Sequence, residues 1–331
     1  MKVSIIIPVY NVASYIERCI KSVMKQTYQN IECILVNDAT PDDSIAIAER
    51  LIADYNGPIQ FRILNHKLNR GQATARNTGT EAATGDYICY MDSDDEITFD
   101  CIENLAQPIL KDPTIEMVEG CYTIITTNDG GSSEFPVSKP QLEFTTKEAV
   151  KDFYFSRRYE NILPWNKLVC KNFLVKNKLY FKDIRIGEDN LWHFHCFQHL
   201  NHFFAIPDIT YKYYKRPNST TTAPRKDYRD KNAPLYVEIA KSFSPDDGVR
   251  EAKHFLKGFC LFYVDGSIIP EYKLAATLFL KVLKDNHNTT DWLFLKSIIF
   301  FSKFTHARIF LKSIGVLLKK FFRRIKLTWK R

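Results

Sequence analysis

No CxxC pair occurs in this 331-residue chain, although it holds eight cysteines. Cys19, Cys33, Cys89, Cys101, Cys121, Cys170, Cys196 and Cys260 are scattered, several of them inside apolar runs such as Glu32-Cys33-Ile34-Leu35. That spacing excludes a zinc ribbon and argues against a disulfide frame. It fits buried free thiols in a reducing cytoplasm. Also missing is any stretch of about 18 uncharged apolar residues, so no spanning helix is expected. The apolar run after Met1-Lys2 stops at Pro8, shorter than a secretory signal needs, and no cleaved leader is expected. There is no Gly-x-Ser-x-Gly elbow for a covalent nucleophile, no internal repeat and no low-complexity segment. His195 and His199 lie four apart, but no carboxylate stands between them as in His-Glu-x-x-His, and Phe and Leu surround them. With His193 and His202 they read as packing or cleft histidines rather than zinc ligands.

Acidic residues are absent after Asp291, where eleven basic ones remain. The formal charge is +8, so 8 − 11 leaves −3 for everything before. A mildly acidic body with a basic tail points to an anionic partner for the tail. In residues 308 to 326, Phe310, Ile314, Leu317, Leu318, Phe321 and Ile325 share one helical stripe, while Lys312, Lys319, Lys320, Arg323 and Lys326 lie largely on other faces. The pattern is that of a helix lying in an anionic membrane surface. A terminal helix packed on the body, with a solvated basic face, is the alternative. No recognisable nucleic-acid module accompanies the charge, so no nucleic-acid partner is expected.

What the body does contain is an alternation of short apolar runs and helical patterns. Val3 to Ile7 is a β-branched run ended by Pro8 and reads as a strand buried on both faces. Residues 13 to 25 repeat apolar positions at helical spacing, and Ile31 to Val36 is a second buried strand. A helix opened by Asp42-Asp43-Ser44, a strand over 59 to 64, a small-residue helix over 71 to 83 and a strand over 87 to 91 follow. Further strands are expected over 115 to 126 and 206 to 216, with a turn at Asn128-Asp129-Gly130-Gly131, mixed aromatic-rich helices over 146 to 200, and helix from about 227 onward. This order implies an α/β fold, a mostly parallel sheet with flanking helices, followed by a helical C-terminal region.

Ligands of open parallel sheets bind at the carboxyl ends of the strands. Pro8-Val9-Tyr10-Asn11 follows the first strand, Asn37-Asp38 the second, and Asp92-Ser93-Asp94-Asp95 the fourth. Carboxylates this close repel one another and raise each other's pKa values unless a cation neutralises them. An oxygen-only ligand set suits Mg2+ or Mn2+, which keep open positions for phosphate oxygens. Taken alone, the acidic run reads equally well as a cap on the helix near Asp100. The neighbouring strand ends favour a site.

The segments Val3 to Asn11, Val36-Asn37-Asp38, Gly71 to Asn77, Met91 to Asp95, Trp165-Asn166-Lys167-Leu168 and Gly187-Glu188-Asp189 resemble, in order and spacing, the successive motifs of the family-2 glycosyltransferases. The resemblance covers about residues 1 to 220 and implies a GT-A (Rossmann-like) catalytic domain there, with 221 to 331 a helical region ending in the basic tail of about 292 to 331. It further implies an inverting transfer from a nucleotide sugar, a UDP-sugar, to a glycan or lipid-linked acceptor in polysaccharide biosynthesis. The enzyme would then lie on the cytoplasmic face of the membrane.

By the same resemblance, Tyr10 and Asp38 grip the base beside the Pro8 backbone. Asp92 and Asp94 form the DxD motif and hold Mn2+ or Mg2+, with Asp95 a third acid of open role. Asp189 is the catalytic base. Arg76 either touches the nucleotide or braces Asp92. For Glu188-Asp189 the residues alone suggest an acid pair at a helix N-terminus. Trp165 is open between lining the acceptor site and packing in the core. The sequence departs from the pattern at Asn37, where an aspartate is common, and at Tyr214, which stands where an arginine is common; Arg216 remains to face the diphosphate. A nucleotidyltransferase would instead show a Gly-rich basic loop after the first strand, which Pro8-Val9-Tyr10-Asn11 is not. A non-catalytic scaffold or glycan-binding protein of this fold would have little reason to keep Asp38, Asp92, Asp94 and Asp189.

Overall fold

The computed structural model describes residues 1–128, 131–158, 163–184, 186–215, 225–244, 246–266 and 270–285, with single positions as far as 299. The chain divides into two compact units, Met1–Ala223 and Pro224–Arg331. The first unit runs β1 (Val3–Val9), α1 (Ile16–Met24), β2 (Ile31–Asn37), α2 (Ser44–Ala53), β3 (Gln60–Asn65), α3 (Gln72–Ala82), β4 (Tyr87–Tyr90), β5 (Glu96–Ile97) and α4 (Cys101–Lys111). It continues through β6 (Met117–Asn128), β7 (Gly131–Val137), β8 (Leu142–Phe144), α5 (Lys147–Phe153), a π-helical turn (Tyr154–Arg158), β9 (Lys167–Cys170), α6 (Lys171–Lys176), α7 (Glu188–His199) and β10 (Phe203–Lys215). The second unit holds α8 (Arg225–Lys241), α9 (Gly248–Gly266) and α10 (Pro270–Asp285). Phe259 stacks on Phe279 at 4.7 Å between α9 and α10, and Tyr236 of α8 meets the Phe259 ring edge-on at 5.5 Å.

The sheet order is β3-β2-β1-β4-β9-β6-β10-β5, with β7 on β6 and β8 on β10. β3, β2, β1 and β4 pair in parallel, as do β6 and β10. β9 is antiparallel to both β4 and β6, so these two neighbours run the same way. β3, β2, β1, β4, β6 and β10 therefore present their carboxyl ends at one edge, and β9 enters at that edge. The sheet is α/β and mostly parallel in direction, as the alternation of elements implies; the reversed β9 is the feature the periodicity does not carry. β1 and β2 are buried along nearly their whole length, which explains their uninterrupted apolar runs. Six of the seven described cysteines are buried, and all seven are free thiols.

α3 lies close on β1. A Cβ at Gly79 would come 2.4 Å from Ile6 Cγ2, so the small residues of this helix are a packing requirement. α7 is buried on most of its circumference through Leu191, Trp192, His193, Phe194, Cys196 and Phe197, and so has no amphipathic period. His193 packs against Tyr154 and Phe197. His202 lies 3.1 Å from Glu143 and 3.0 Å from Thr114. Both are packing or bridging histidines. Among the described residues no helix is long and apolar enough to cross a membrane.

One charge is buried far from the carboxyl edge. Glu32 faces Ser4 across β1 and β2, 3 % exposed at its side chain. Its Oε1 accepts from Ser4 Oγ at 2.6 Å, Thr84 N at 2.5 Å, Thr84 Oγ1 at 2.9 Å and Gly85 N at 3.1 Å. Lys2 and Arg62 lie 3.6 and 3.3 Å from Oε2. Burial alone would raise this carboxyl, but the hydrogen bonds from Ser4 and Thr84 outweigh it and hold the pKa at about 2. Its stabilising effect is thus complete above the ordinary carboxylate range and is lost as pH falls toward about 2. Glu32→Gln is expected to lower neutral-pH stability by about 1–3 kcal/mol, because an amide turns a donor toward donors. In urea melts the deficit should shrink steadily below the ordinary carboxylate range. A deficit that does not change with pH contradicts this assignment.

Candidate functional site

The carboxyl edge of the sheet gathers most of the polar residues singled out by the sequence. At the end of β1, Pro8 and Val9 are buried and Tyr10 is exposed on the rim at 47 %. Asn11 and Ala39, each just beyond a strand end, hold φ of 53° and 54°. Non-glycine residues adopt that region at a cost, and such strain gathers at functional sites. Asp42 ties the two loops: its Oδ2 accepts from Ala13 N at 2.8 Å, and its Oδ1 accepts from Thr40 Oγ1 at 2.6 Å and Ser44 Oγ at 2.5 Å.

Asp38 is buried and its carboxylate is well occupied. Oδ1 lies 2.7 Å from His66 Nδ1 and accepts from Arg70 N at 2.9 Å; Oδ2 accepts from Gly71 N at 2.8 Å. His66 Nε2 lies 3.0 Å from Thr78 Oγ1. Asp38 therefore fixes the loop between β3 and α3. His66 is a residue the sequence reading missed, although it stands at the end of β3, in the same position relative to its strand as Asp38 to β2. Asn37 donates to Asn65 at 2.8 Å, so the departure from an aspartate there is accommodated by a cross-strand amide pair.

The centre of the site is Arg76 on α3, 1 % exposed. Its Nη1 donates to Asp189 Oδ1 at 2.6 Å, and its Nη2 donates to Asp92 Oδ1 at 2.9 Å. Glu188 lies 3.7 Å from Nη1 and the Phe181 ring 5.2 Å from the guanidinium carbon. Arg76 thus makes a bracing contact with Asp92. Gln72, one turn earlier, also donates to Asp92 Oδ1, at 2.9 Å. Asp189 reaches Arg76 because Gly187, at φ 89°, turns the chain into α7 just before it. Burial raises the Asp189 pKa; Arg76 works against that rise and Asp92 adds to it. Glu188 is raised in the same way, by burial and then by its neighbour Asp189.

Asp92, Asp94 and Asp95 form a group in which one carboxylate oxygen of each lies within 4.8 Å of the others. Their parts differ. Asp95 is 1 % exposed; its Oδ2 accepts from Tyr211 OH at 2.8 Å and its Oδ1 from Tyr214 N at 2.8 Å. The Tyr211 hydroxyl in turn accepts from Asp92 N at 3.2 Å. Burial, then Asp94 and Asp92, push the Asp95 carboxyl well above the ordinary range. Asp95 is thus a strut between this turn and β10. Asp92 and Asp94 are the more open of the three, and an all-oxygen donor set of this kind could hold Mg2+ or Mn2+. Asp92 Oδ1 accepts from both Arg76 and Gln72.

The segment entering β9 is structural. Trp165 is 1 % exposed and stacks on Tyr211 at 4.4 Å and Tyr213 at 5.7 Å, so the core alternative holds for it. Asn166 donates to Cys121 O at 2.9 Å and accepts from Thr210. Lys167 and Glu119 form a wholly buried pair at 2.9 Å. Arg216 and the tail from 301 onward lie outside the described residues.

The profile of the family described as "Glycosyl transferase family 2" matches residues 4–199. EpsJ of Bacillus subtilis (strain 168), an uncharacterized glycosyltransferase, is 33 % identical over 233 residues, which are 70 % of this chain and 66 % of that protein, just under two-thirds of its length. The glycosyltransferase GlyG of Streptococcus pneumoniae serotype 4 is 30 % identical over 66 % of this chain and 72 % of its own. Among solved structures, residues 1–349 of S. aureus TarS superpose with a TM-score of 0.68 at 19 % identity, covering 91 % of this chain and 89 % of that one. The same TarS fragment in complex with UDP-GlcNAc gives 0.63 at 20 % identity, over 85 % and 81 %. At that identity the likeness concerns the fold, which is GT-A. The family match spans more than half of the chain, including the ends of β1 to β4 and the Glu188-Asp189 pair, and the protein belongs to glycosyl transferase family 2.

Proposed function

We propose that the protein is an inverting, metal-dependent glycosyltransferase that takes its sugar from a UDP-sugar and passes it to a glycan or lipid-linked glycan acceptor in polysaccharide biosynthesis. The observation that carries this reading is the buried Arg76, hydrogen-bonded at once to Asp92 of the DxD turn and to Asp189 of the acid pair. It joins a cation-binding carboxylate to a candidate base in one rigid unit. The TarS fragment of the same fold has been solved with UDP and with UDP-GlcNAc, which supports a UDP-sugar donor.

Asp94 and Asp92 would hold Mn2+ or Mg2+, which when bound neutralises charge developing on a leaving diphosphate. The exposed Tyr10 ring offers a face to the base, beside the Pro8 backbone and the loop organised by Asp38. Arg216 is a further candidate for the diphosphate. Asp189 accepts the acceptor hydroxyl's proton as that oxygen bonds to the anomeric carbon and the diphosphate leaves from the opposite face. One such displacement inverts the carbon and needs no covalent intermediate. Burial makes Asp189 a stronger base than a solvated aspartate, and Arg76 keeps it ionised and aimed.

We also propose that the basic tail holds the enzyme on an anionic membrane surface on the cytoplasmic side, beside a lipid-linked acceptor. The support is in the sequence: eleven basic residues and no acid after Asp291. The domain limits carried with this reading are a catalytic domain over about 1 to 220 and a helical region from 221.

Incubation with a panel of UDP-, GDP- and dTDP-sugars should release UDP from one donor in Mn2+ and none in chelator. Asp94→Ala should abolish that release. Asp189→Asn should still bind UDP while transfer falls by about 10²–10⁴-fold. In the unsubstituted enzyme the acid limb of the rate profile should lie above the ordinary carboxylate range, since activity is lost as the raised Asp189 is protonated. Full transfer in Asp189→Asn would sink the base assignment. For the tail, reversing Lys319, Lys320, Arg323 and Arg324 to Glu should cut co-sedimentation with phosphatidylserine vesicles at low salt. Undiminished co-sedimentation would sink the docking role.

A further inference from the structure

We infer that Arg18 of α1 is a positioning residue for Asp94, holding the main chain of the acidic turn so that this carboxylate is aimed at the cation. The inference rests on the metal site proposed above. The Arg18 Nη2 donates to the main-chain carbonyl of Asp94. The next residue, Cys19, reaches the same turn, with its Sγ 3.8 Å from Asp92 O. Two successive side chains of one helix thus meet the carbonyls at either end of the Asp92-Ser93-Asp94 segment. Within the turn Asp95 N donates to Asp92 O at 3.2 Å, and on the far side Asp95 is fixed by Tyr211 and Tyr214. Asp94 sits between these anchors, and its peptide unit is held at both ends, by Asp95 N on Asp92 O and by Arg18 on the Asp94 carbonyl.

The guanidinium is itself held. Its carbon lies 3.6 Å from the centroid of the Tyr214 ring and 5.3 Å from that of Tyr15. The Tyr214 hydroxyl donates to Glu96 Oε1 at 2.6 Å, which locks the ring. Glu96 Oε1 is 3.7 Å from Arg18 Nε, beyond hydrogen-bond reach, and the Arg18 side chain is 33 % exposed. An ion pair of that length and exposure contributes little, so it does not explain why Arg18 sits over the Tyr214 ring. Stacking on the ring and donating to the carbonyl do. Tyr214, where the sequence departs from the family's usual arginine, thus carries a cation on its face, brought from α1.

Charge and positioning act on metal affinity in opposite directions. A guanidinium on the main chain of the acidic turn repels a divalent cation held there, so a purely electrostatic role predicts tighter metal binding once Arg18 is removed. A positioning role predicts weaker binding, because groups that orient a ligand commonly change metal affinity by about 10–100-fold. The test uses the full chain with Mn2+ as probe, free Mn2+ being counted by electron paramagnetic resonance with and without UDP, and thermal melts run alongside. Arg18→Ala should raise the Mn2+ Kd about tenfold at an unchanged melting temperature. Arg18→Lys keeps the charge but not the planar fork, and should recover only part of the loss. Tyr214→Leu, which removes the platform and leaves Arg18, should weaken Mn2+ in the same direction and carries the test if Arg18→Ala does not fold. Mn2+ bound as tightly or more tightly by Arg18→Ala, with Asp94→Ala binding it weakly, would overturn the inference and leave the metal site standing. Unchanged binding in Asp94→Ala would overturn the metal site and this inference with it.

Discussion

A guanidinium buried to 1 % exposure is tolerated only where carboxylates meet it, and the site is organised around that requirement. Arg76 supplies one nitrogen to Asp92 and another to Asp189, residues 97 positions apart on different elements (189 − 92). Neither carboxylate can be moved independently. The constraint reaches back into packing. α3 must lie close enough on β1 for Arg76 to enter the gap, and Gly79 against Ile6 sets that approach. It reaches forward as well, since Gly187 turns the chain so that α7 opens with its acid pair beside the guanidinium.

The sheet provides the edge on which this arrangement stands. Because β9 runs against β4 and β6, those two strands point the same way although long segments of chain separate them. The wholly buried Lys167–Glu119 pair and the Trp165 stack lock the start of β9 at the site edge. From the same region Tyr211 and Tyr214 of β10 reach the acidic turn through Asp95. The turn is therefore held from three directions: by α3 through Arg76 and Gln72, by β10 through Asp95, and by α1 through Arg18.

Much of this was legible in the residues. Runs such as Val3 to Ile7 have no polar face because both sides of the strand are buried, and that makes them visible without any structure. Polar groups after strand ends announce a candidate site in a parallel sheet, and Asp38, Asp92 and Asp94 stand there. What stayed hidden depends on partners distant in sequence. Three acids in four positions look alike, and only the tyrosines of β10 distinguish the buried Asp95 from the more open Asp92 and Asp94. Trp165 could line a cleft or a core until its stack on Tyr211 and Tyr213 is seen. Acids in the first turn are ordinary at a helix start, so the pair that opens α7 carries no signal until Arg76 is placed beside it.

One arginine holds both carboxylates. Arg76→Lys keeps the positive charge but cannot donate to Asp92 and Asp189 together. The direct test is to measure, on one folded preparation of that variant, the Mn2+ affinity and the rate of sugar transfer at saturating Mn2+. The account predicts that both fall, the first because Asp92 is released and the second because Asp189 is. A variant in which metal affinity falls while the saturated rate is that of the original enzyme, or the reverse, would show that Arg76 does not join the two carboxylates functionally.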